Sequence, residues 1–224
     1  ALSSAASDVY KRQIIPAYNA GRFIEGCINT IFNQTYRDFE IIVVNDGSSD
    51  NTLDILNSLA KKDARLKVIS QKNGGVSAAR NTALKHAKGE FITYVDADDS
   101  LPKTAFSDML ELAADDVDFV ICSYNEITVK SRPNPFQNNV FDGPQDIYNR
   151  FRDFDRTIWW PCAKLYKTSI INENHLTYDT SITFGEDHIF NLLYSKYITG
   201  KVVVSEKMTY NYHHIRGGLT AKFY

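Results

Sequence analysis

The sequence predicts an α/β fold, a mixed and mainly parallel sheet with helices on both faces. Two observations carry that expectation. Through residues 14–125, short β-branched runs alternate with stretches whose apolar residues recur at three- and four-residue spacing, the pattern of strands connected by helices. Three polar clusters, PAYN, NDGSSD and DADD, follow directly on the first, second and fourth of those runs. Parallel strands gather such clusters beyond their carboxyl ends, at the edge where open α/β sheets bind ligands.

The strands are expected at Ile14–Ile15, Ile41–Val44, Leu66–Ile69, Phe91–Val95 and Phe119–Ile121. Between them, Ile24, Ile28, Ile31 and Phe32 make one helical face. Leu53, Leu56, Leu59 and Ala60 make the next, and Val76, Ala79, Ala83, Leu84 and Ala87 a third. Ser48, Ser49 and Asp50 stand where the second helix needs an N-cap. Gly89 suits a left-handed C-terminal position after the third. Asp99 or Ser100 is expected to cap a helix beginning near Pro102.

After about residue 123 the alternation is lost. SRPNPFQNN (131–139) reads as a polar loop with two prolines. A helix near 144–153, the segment TIWWPCAKLY, a helix from Glu186 to Tyr197 and a strand at VVVS (202–205) follow. Residues 126–224 thus elaborate the first half rather than repeat it. DVYKRQ reads as the translation of a sequencing-library transposon end, so residues 1–13 are expected to be a non-native start and are set aside. Tyr224 is read as an artificial end.

A chain of 224 residues with 43% hydrophobic composition is long enough to bury a core across a sheet. Its formal charge of −2 gives no general attraction to nucleic acid or anionic lipid. Cys27, Cys122 and Cys162 form no CxxC pair, which points away from a zinc site or disulfide framework and toward a reducing cytosol. No apolar run is long enough to span a bilayer.

The chemistry concentrates in three places. In DADD, alternate residues face the same way, so Asp96 and Asp98 reach one ligand together. Hard cations such as Mg²⁺ and Mn²⁺ take carboxylate oxygen together with substrate phosphate. In NDGSSD, Asp46 ends a buried strand, where its carboxylate can accept from a base N–H such as that of uracil. In NGGVSAARNTAL, Arg80 sits near the first turns of a helix against the dipole, which implies a partner elsewhere. Neither GxGxxG nor GxxxxGK[ST] occurs, which argues against nicotinamide and P-loop enzymes.

PAYNAGRFIEGCINTIFNQTY, EIIVVNDGSSDNT, NGGVSAARNTAL and GEFITYVDADD, in that order, resemble family 2 glycosyltransferases of the GT-A fold. The resemblance implies an enzyme that moves a hexosyl or N-acetylhexosaminyl group from a nucleotide-diphosphate sugar, a UDP-sugar, using Mn²⁺ or Mg²⁺. It makes residues 14–125 the nucleotide-sugar half and 126–224 the acceptor side. It assigns Pro16, Ala17, Tyr18, Asn19, Asp46 and Arg80 to the nucleobase region. Asp96, Ala97 and Asp98 become the DxD motif, with Asp98 on the metal. FGEDHIFNLLY resembles the ED motif of bacterial polysaccharide-building members, which makes Asp187 the general base and Glu186 a supporting or acceptor-contacting residue. Their place in a first helical turn also favours carboxylates and tends to keep the pKa low.

Trp159 and Trp160 offer a stacking face for a sugar ring or pack beneath the site. Lys164 is a structural hydrogen-bonder or a phosphate contact. His213, His214 and Arg216 lie where relatives close over the diphosphate. His86, His175 and His188 read as ordinary surface or packing residues. The reaction implied is inverting, with a cell-surface polysaccharide or lipid-linked saccharide as acceptor. The implied location is cytoplasmic, with peripheral association at the inner face of the cell membrane left open. The rival readings are a non-catalytic nucleotide-sugar-binding homologue and a sugar nucleotidyltransferase. PAYNAGRF does not resemble the glycine-rich loop of the latter.

Overall fold

The computed structural model describes residues 11–127, 138–143, 145 and 159–214. Its strands are β1 (Lys11–Ala17), β2 (Phe39–Asp46), β3 (Leu66–Gln71), β4 (Phe91–Tyr94), β5 (Val117–Glu126), β6 (Asn139–Asp142), β7 (Lys164–Lys167) and β8 (Lys201–Tyr212). The helices are α1 (Ile24–Phe32), α2 (Thr52–Ala60), α3 (Val76–His86), α4 (Ala105–Glu111), α5 (Thr168–Glu173) and α6 (Glu186–Lys196). The expected strand cores all fall inside these strands, save Val95, one residue past β4. All but residue 145 of the predicted helix at 144–153, and most of the loop at 131–139, lie outside the described residues.

The strands form one sheet in the order β3-β2-β1-β4-β7-β5-β8-β6. β1 pairs in parallel with both β2 and β4, and β2 with β3. β7 enters antiparallel between β4 and β5, and β8 runs parallel to β5. The chain therefore moves outward from β1 to β3 and returns on the other side of β1 as β4. That reversal opens a crevice at the carboxyl ends of β1 and β4.

Burial explains why these segments are strands and helices. Ile41–Val44 are fully buried, as in a strand covered on both faces. In α1 the buried side chains are Ile24, Cys27, Ile28 and Ile31, one stripe at helical spacing. One face of the sheet carries a core built with α1, α2 and α4 around Ile28, Leu56 and Phe106. The other carries a core built with α3, α5 and α6 around Ala83, Ile171 and Phe190. Among the described residues no helix is long and apolar enough to cross a membrane.

Three local expectations are corrected. Gly89 does not close α3 in a left-handed conformation; the helix ends at His86, and Ala87 turns extended with ψ 117°. The N-cap position of α2 is Asn51, without a side-chain bond; Ser48 and Ser49 are drawn into contacts with the loop after β1, while Asp50, one residue earlier, accepts both the Gly21 N–H and, at 3.0 Å, the N–H of Thr52 that opens the helix. Asp99 does not cap α4, whose N-cap is Thr104; its carboxyl turns instead toward β8.

Lys11, Arg12 and Gln13, set aside in the sequence, are the first three residues of β1 and are buried. Arg12 pairs with Glu40. Lys11 is fully buried, its ammonium 4.0 Å from the Met109 sulfur and 4.0 Å from the Phe106 ring centroid. Burial holds its pKa well below the ordinary lysine value, and among the described residues no carboxylate offsets that. Lys11→Leu is therefore expected to stabilise the fold by about 2 kcal/mol near neutral pH. Because the folded pKa is depressed, the penalty is complete below it and fades as pH rises toward about 10.4, where unfolded lysine also loses its proton. Urea unfolding of both proteins at neutral pH and near pH 10 measures this; a less stable variant at neutral pH would refute it.

Candidate active site

The loops after β1 and β2 are fastened to each other. Asn19, at φ 48°, adopts a left-handed conformation that asparagine tolerates. Its backbone N–H donates to Ser48 Oγ at 3.0 Å, and its Oδ1 accepts from the Ser49 N–H at 2.8 Å. Asp50 accepts from the Gly21 N–H at 3.0 Å and from the Thr52 hydroxyl at 2.5 Å. The PAYN and NDGSSD clusters are thus one rigid rim. Of the four PAYN side chains, Tyr18 is 56% exposed at the mouth, Ala17 is buried, and Asn19 is engaged in the rim.

Asp46 is buried, and its carboxylate accepts three internal hydrogen bonds. They come from Gln71 Nε2 (2.7 Å), the Gly74 N–H (2.9 Å) and the Gly75 N–H (2.8 Å). The Asp46 carboxylate therefore holds the loop that opens α3. Gly75, at φ 86°, is the N-cap there, and the negative charge stands at the positive end of the helix. Any contact of Asp46 with a nucleobase shares these same two oxygens.

DADD turns at the end of β4, with the Asp99 N–H donating to the Asp96 carbonyl at 3.1 Å. Ala97 points into the core, while Asp96 and Asp98 are only partly covered. This is the alternation expected from the sequence. Burial, then the charge of Asp96, pushes the Asp98 carboxyl above its ordinary pKa, opposed in part by a hydrogen bond from its own backbone and by the nearby His213 ring. Asp99 is buried against Tyr210, whose hydroxyl donates to it at 2.5 Å, and it accepts from the His213 N–H at 2.8 Å. Burial and Asp96 push it up to about 8.

Two thiols flank the turn. Cys27 donates to the Asp96 carbonyl at 3.6 Å, and Cys162 lies 3.8 Å from Asp96 Oδ2. Burial, with the carboxylates adding to it, holds both thiols protonated as donors. Nothing in the spacing of the sequence links Cys27, Cys162 or Tyr210 to DADD; β7 and β8 bring two of them there from the far end of the chain.

The second half of the chain contributes the start of α6. Gly185, at φ 84°, turns the chain so that Glu186 and Asp187 open the helix. The dipole alone would keep Asp187 acidic, yet its pKa is raised. Burial is the main cause and Glu186 the next, against the charges of Arg80 and His188 and the His188 N–H at 2.9 Å. A carboxylate with a raised pKa in a crevice is suited to accept a proton.

Arg80 joins the two sides. Its Nη1 donates to Glu186 Oε1 at 2.9 Å, and its Nη2 lies 3.7 Å from Asp96 Oδ1. Its guanidinium carbon is 5.2 Å from the Tyr178 ring centroid. The partner implied by its place in α3 is thus a carboxylate, and it stands 106 residues away.

The aromatic and basic candidates divide. Trp160 packs between Tyr124 (5.4 Å) and Tyr212 (5.3 Å), and Trp159 lies against His188 (4.7 Å). His188 is therefore part of the site wall, which the sequence did not indicate. Lys164 is fully buried, donates to the Cys162 carbonyl at 3.2 Å, and is pushed down to about 8 by burial. The His213 ring meets Ser100 Oγ at 2.9 Å, and His214 lies 3.5 Å from Glu126. Arg216 is outside the described residues.

Among the described residues no three His, Cys, Asp or Glu side chains converge as a ready-made metal cage. Asp98, destabilised as an anion by burial and by Asp96, is nonetheless the kind of carboxylate that a hard cation relieves, with remaining ligands from phosphate and water.

A family model described as glycosyl transferase family 2 matches residues 13–174. An uncharacterised glycosyltransferase, EpsJ, of Bacillus subtilis is 38% identical over 80% of this chain and 54% of its own length. A poly(ribitol-phosphate) beta-glucosyltransferase of Bacillus spizizenii is 31% identical over 90% of this chain and 31% of its own. The structure of S. aureus TarS 1–349 in complex with UDP-GlcNAc superposes with a TM-score of 0.82 at 25% identity, covering 96% of this chain and 61% of that one. The chain spans about half the length of curated relatives such as EpsJ and EpsH, 54% and 53% of them. With a carboxylate-lined crevice at the switch point of its sheet and a family match across most of its residues, the chain belongs to glycosyl transferase family 2 and has the GT-A fold.

Proposed function

We propose that the protein is an inverting, metal-dependent glycosyltransferase that moves a sugar from a UDP-sugar to a hydroxyl of a cell-surface polysaccharide or lipid-linked saccharide. The observation that carries this reading is one buried arginine, Arg80, which pairs with Asp96 of the DxD turn, from the first half of the chain, and with Glu186, the neighbour of Asp187, from the second. In this reading residues 14–125 hold the donor and residues 126–224 the acceptor, within one domain. TarS in complex with UDP-GlcNAc supports a uridine donor.

Asp187 takes the proton from the acceptor hydroxyl, whose oxygen then displaces the nucleoside diphosphate at the anomeric carbon in one step. Asp98 would hold Mn²⁺ or Mg²⁺, which when bound neutralises charge on the departing diphosphate. The Tyr18 ring at the mouth and the fastened loops of Asn19 and Ser48 give the nucleobase a preformed seat. A cytoplasmic site of action follows from the nucleotide-sugar donor, and association with the membrane face from a lipid-linked acceptor.

The test is product identity together with binding. UDP is expected to bind in calorimetry with Mn²⁺, and a UDP-sugar panel is expected to yield free UDP. Pyrophosphate release instead would establish nucleotidyl transfer. UDP binding with no turnover of any donor in the presence of saccharide acceptors would favour the non-catalytic homologue.

A further inference from the structure

We propose that Arg80 and Glu186 form a positioning pair that sets the acceptor-side base, Asp187, against the donor-side carboxylate Asp96. The proposal rests on the reading of Asp187 as general base. It goes beyond that reading by giving Arg80 a role in the proton transfer rather than on the nucleobase.

The geometry is specific. Arg80 is 5% exposed, and its planar guanidinium is held by walls from both halves of the chain. α3 supplies the arginine, the turn after β4 supplies Asp96, and α6 supplies Glu186 at 2.9 Å. Tyr178 lies against its face, 5.2 Å away, and is itself stacked on Phe190 of α6 at 4.1 Å. A fork with a fixed plane holds two carboxylates at a set separation, which a lysine ammonium on a flexible stem does not. Burial alone would lower the pKa of Arg80; Tyr178, Asp96 and Glu186 more than offset it, so the cation is permanent. Among the described residues Arg80 Nε is buried without a hydrogen-bond partner, so the ion pairs fix the side chain in place of full hydrogen bonding.

Glu186 is covalently next to Asp187, so holding one holds the other. The pair also has opposite electrostatic effects on the base: Glu186 raises the pKa of Asp187, and Arg80 lowers it. The other groups facing Asp187 are His188 on α6 and Lys164 and Tyr166 on β7. Removing either charge therefore has a defined and opposite sign at Asp187, whatever it does to stability.

The experiment is ¹³C NMR titration of aspartate side-chain carboxyls in the apo protein, which needs neither acceptor nor metal. The resonance missing from Asp187→Asn identifies the base. Glu186→Gln is expected to move its midpoint down, and Arg80→Met to move it up. In parallel, UDP calorimetry with Mn²⁺ is expected to change less than about threefold for Glu186→Gln, which removes no donor contact. An Asp187 midpoint unmoved in both variants, with UDP affinity lost in Arg80→Met, would overturn the proposal and return Arg80 to the nucleobase. If Arg80→Met does not fold, Glu186→Gln decides alone, since glutamine is isosteric and retains an acceptor for Arg80. Failure of the base reading is separate: Asp187→Asn would then retain turnover of the donor whatever the titrations show.

Discussion

Asp187→Asn is expected to reduce sugar transfer about 10³-fold while leaving UDP affinity nearly unchanged. General-base contributions run from about 10² to 10⁴, and Asp187 has the features of such a base. It opens α6 at the crevice, and burial, helped by Glu186, holds its carboxyl above the ordinary range. Asparagine keeps the shape and still accepts from the His188 N–H, so the loss falls on turnover. The pH profile gives a second check. The rate of the parent enzyme is expected to fall as pH drops through the raised pKa of Asp187, so its acid limb lies above the value near 4 of a free carboxylate. In Asp187→Asn that limb is expected to disappear. Initial rates from pH 5 to 9, with UDP release as the signal, measure both. Transfer within tenfold of the parent enzyme would remove Asp187 from the mechanism.

Asp98→Asn is expected to abolish manganese-dependent UDP binding, weakening it at least 100-fold, about the loss caused by chelating the metal from the parent protein. The same substitution is expected to raise the thermal midpoint of the apo protein at neutral pH. Asp98 is raised in pKa by burial and by Asp96, so its ionised form opposes folding. The sign follows from linkage: a carboxyl with a raised folded pKa favours the fold at low pH and loses that contribution as pH rises above its unfolded value. Removing the charge relieves the apo turn and deprives the cation of its ligand. A variant with a higher midpoint and no metal-dependent binding separates function from folding. Calorimetry with and without Mn²⁺, paired with thermal unfolding, reads both; unchanged UDP affinity would show that Asp98 holds no metal.

The sequence by itself determined the strand–helix alternation, the edge of the sheet that carries the site and the pairing of Asp96 with Asp98. These are local properties. β-branched runs, helical spacing of Ile24, Ile28 and Ile31, and side-chain alternation through DADD are each written within about ten residues. Tertiary structure decided what those residues touch. Asp99 reads as a helix cap until β8 brings Tyr210 to it from 111 residues away. Arg80 shows an unfavourable place in its helix, but only the fold supplies Glu186 as its partner. Asp187 reads as acidic from its helical turn, and burial reverses that. The antiparallel entry of β7 between β4 and β5, which carries Cys162 and Lys164 to the site, left no periodic signal at all. Local pattern fixes backbone geometry because sterics and capping act over a few residues. Partner choice and pKa depend on burial and on long-range chain return, which no short stretch of sequence contains.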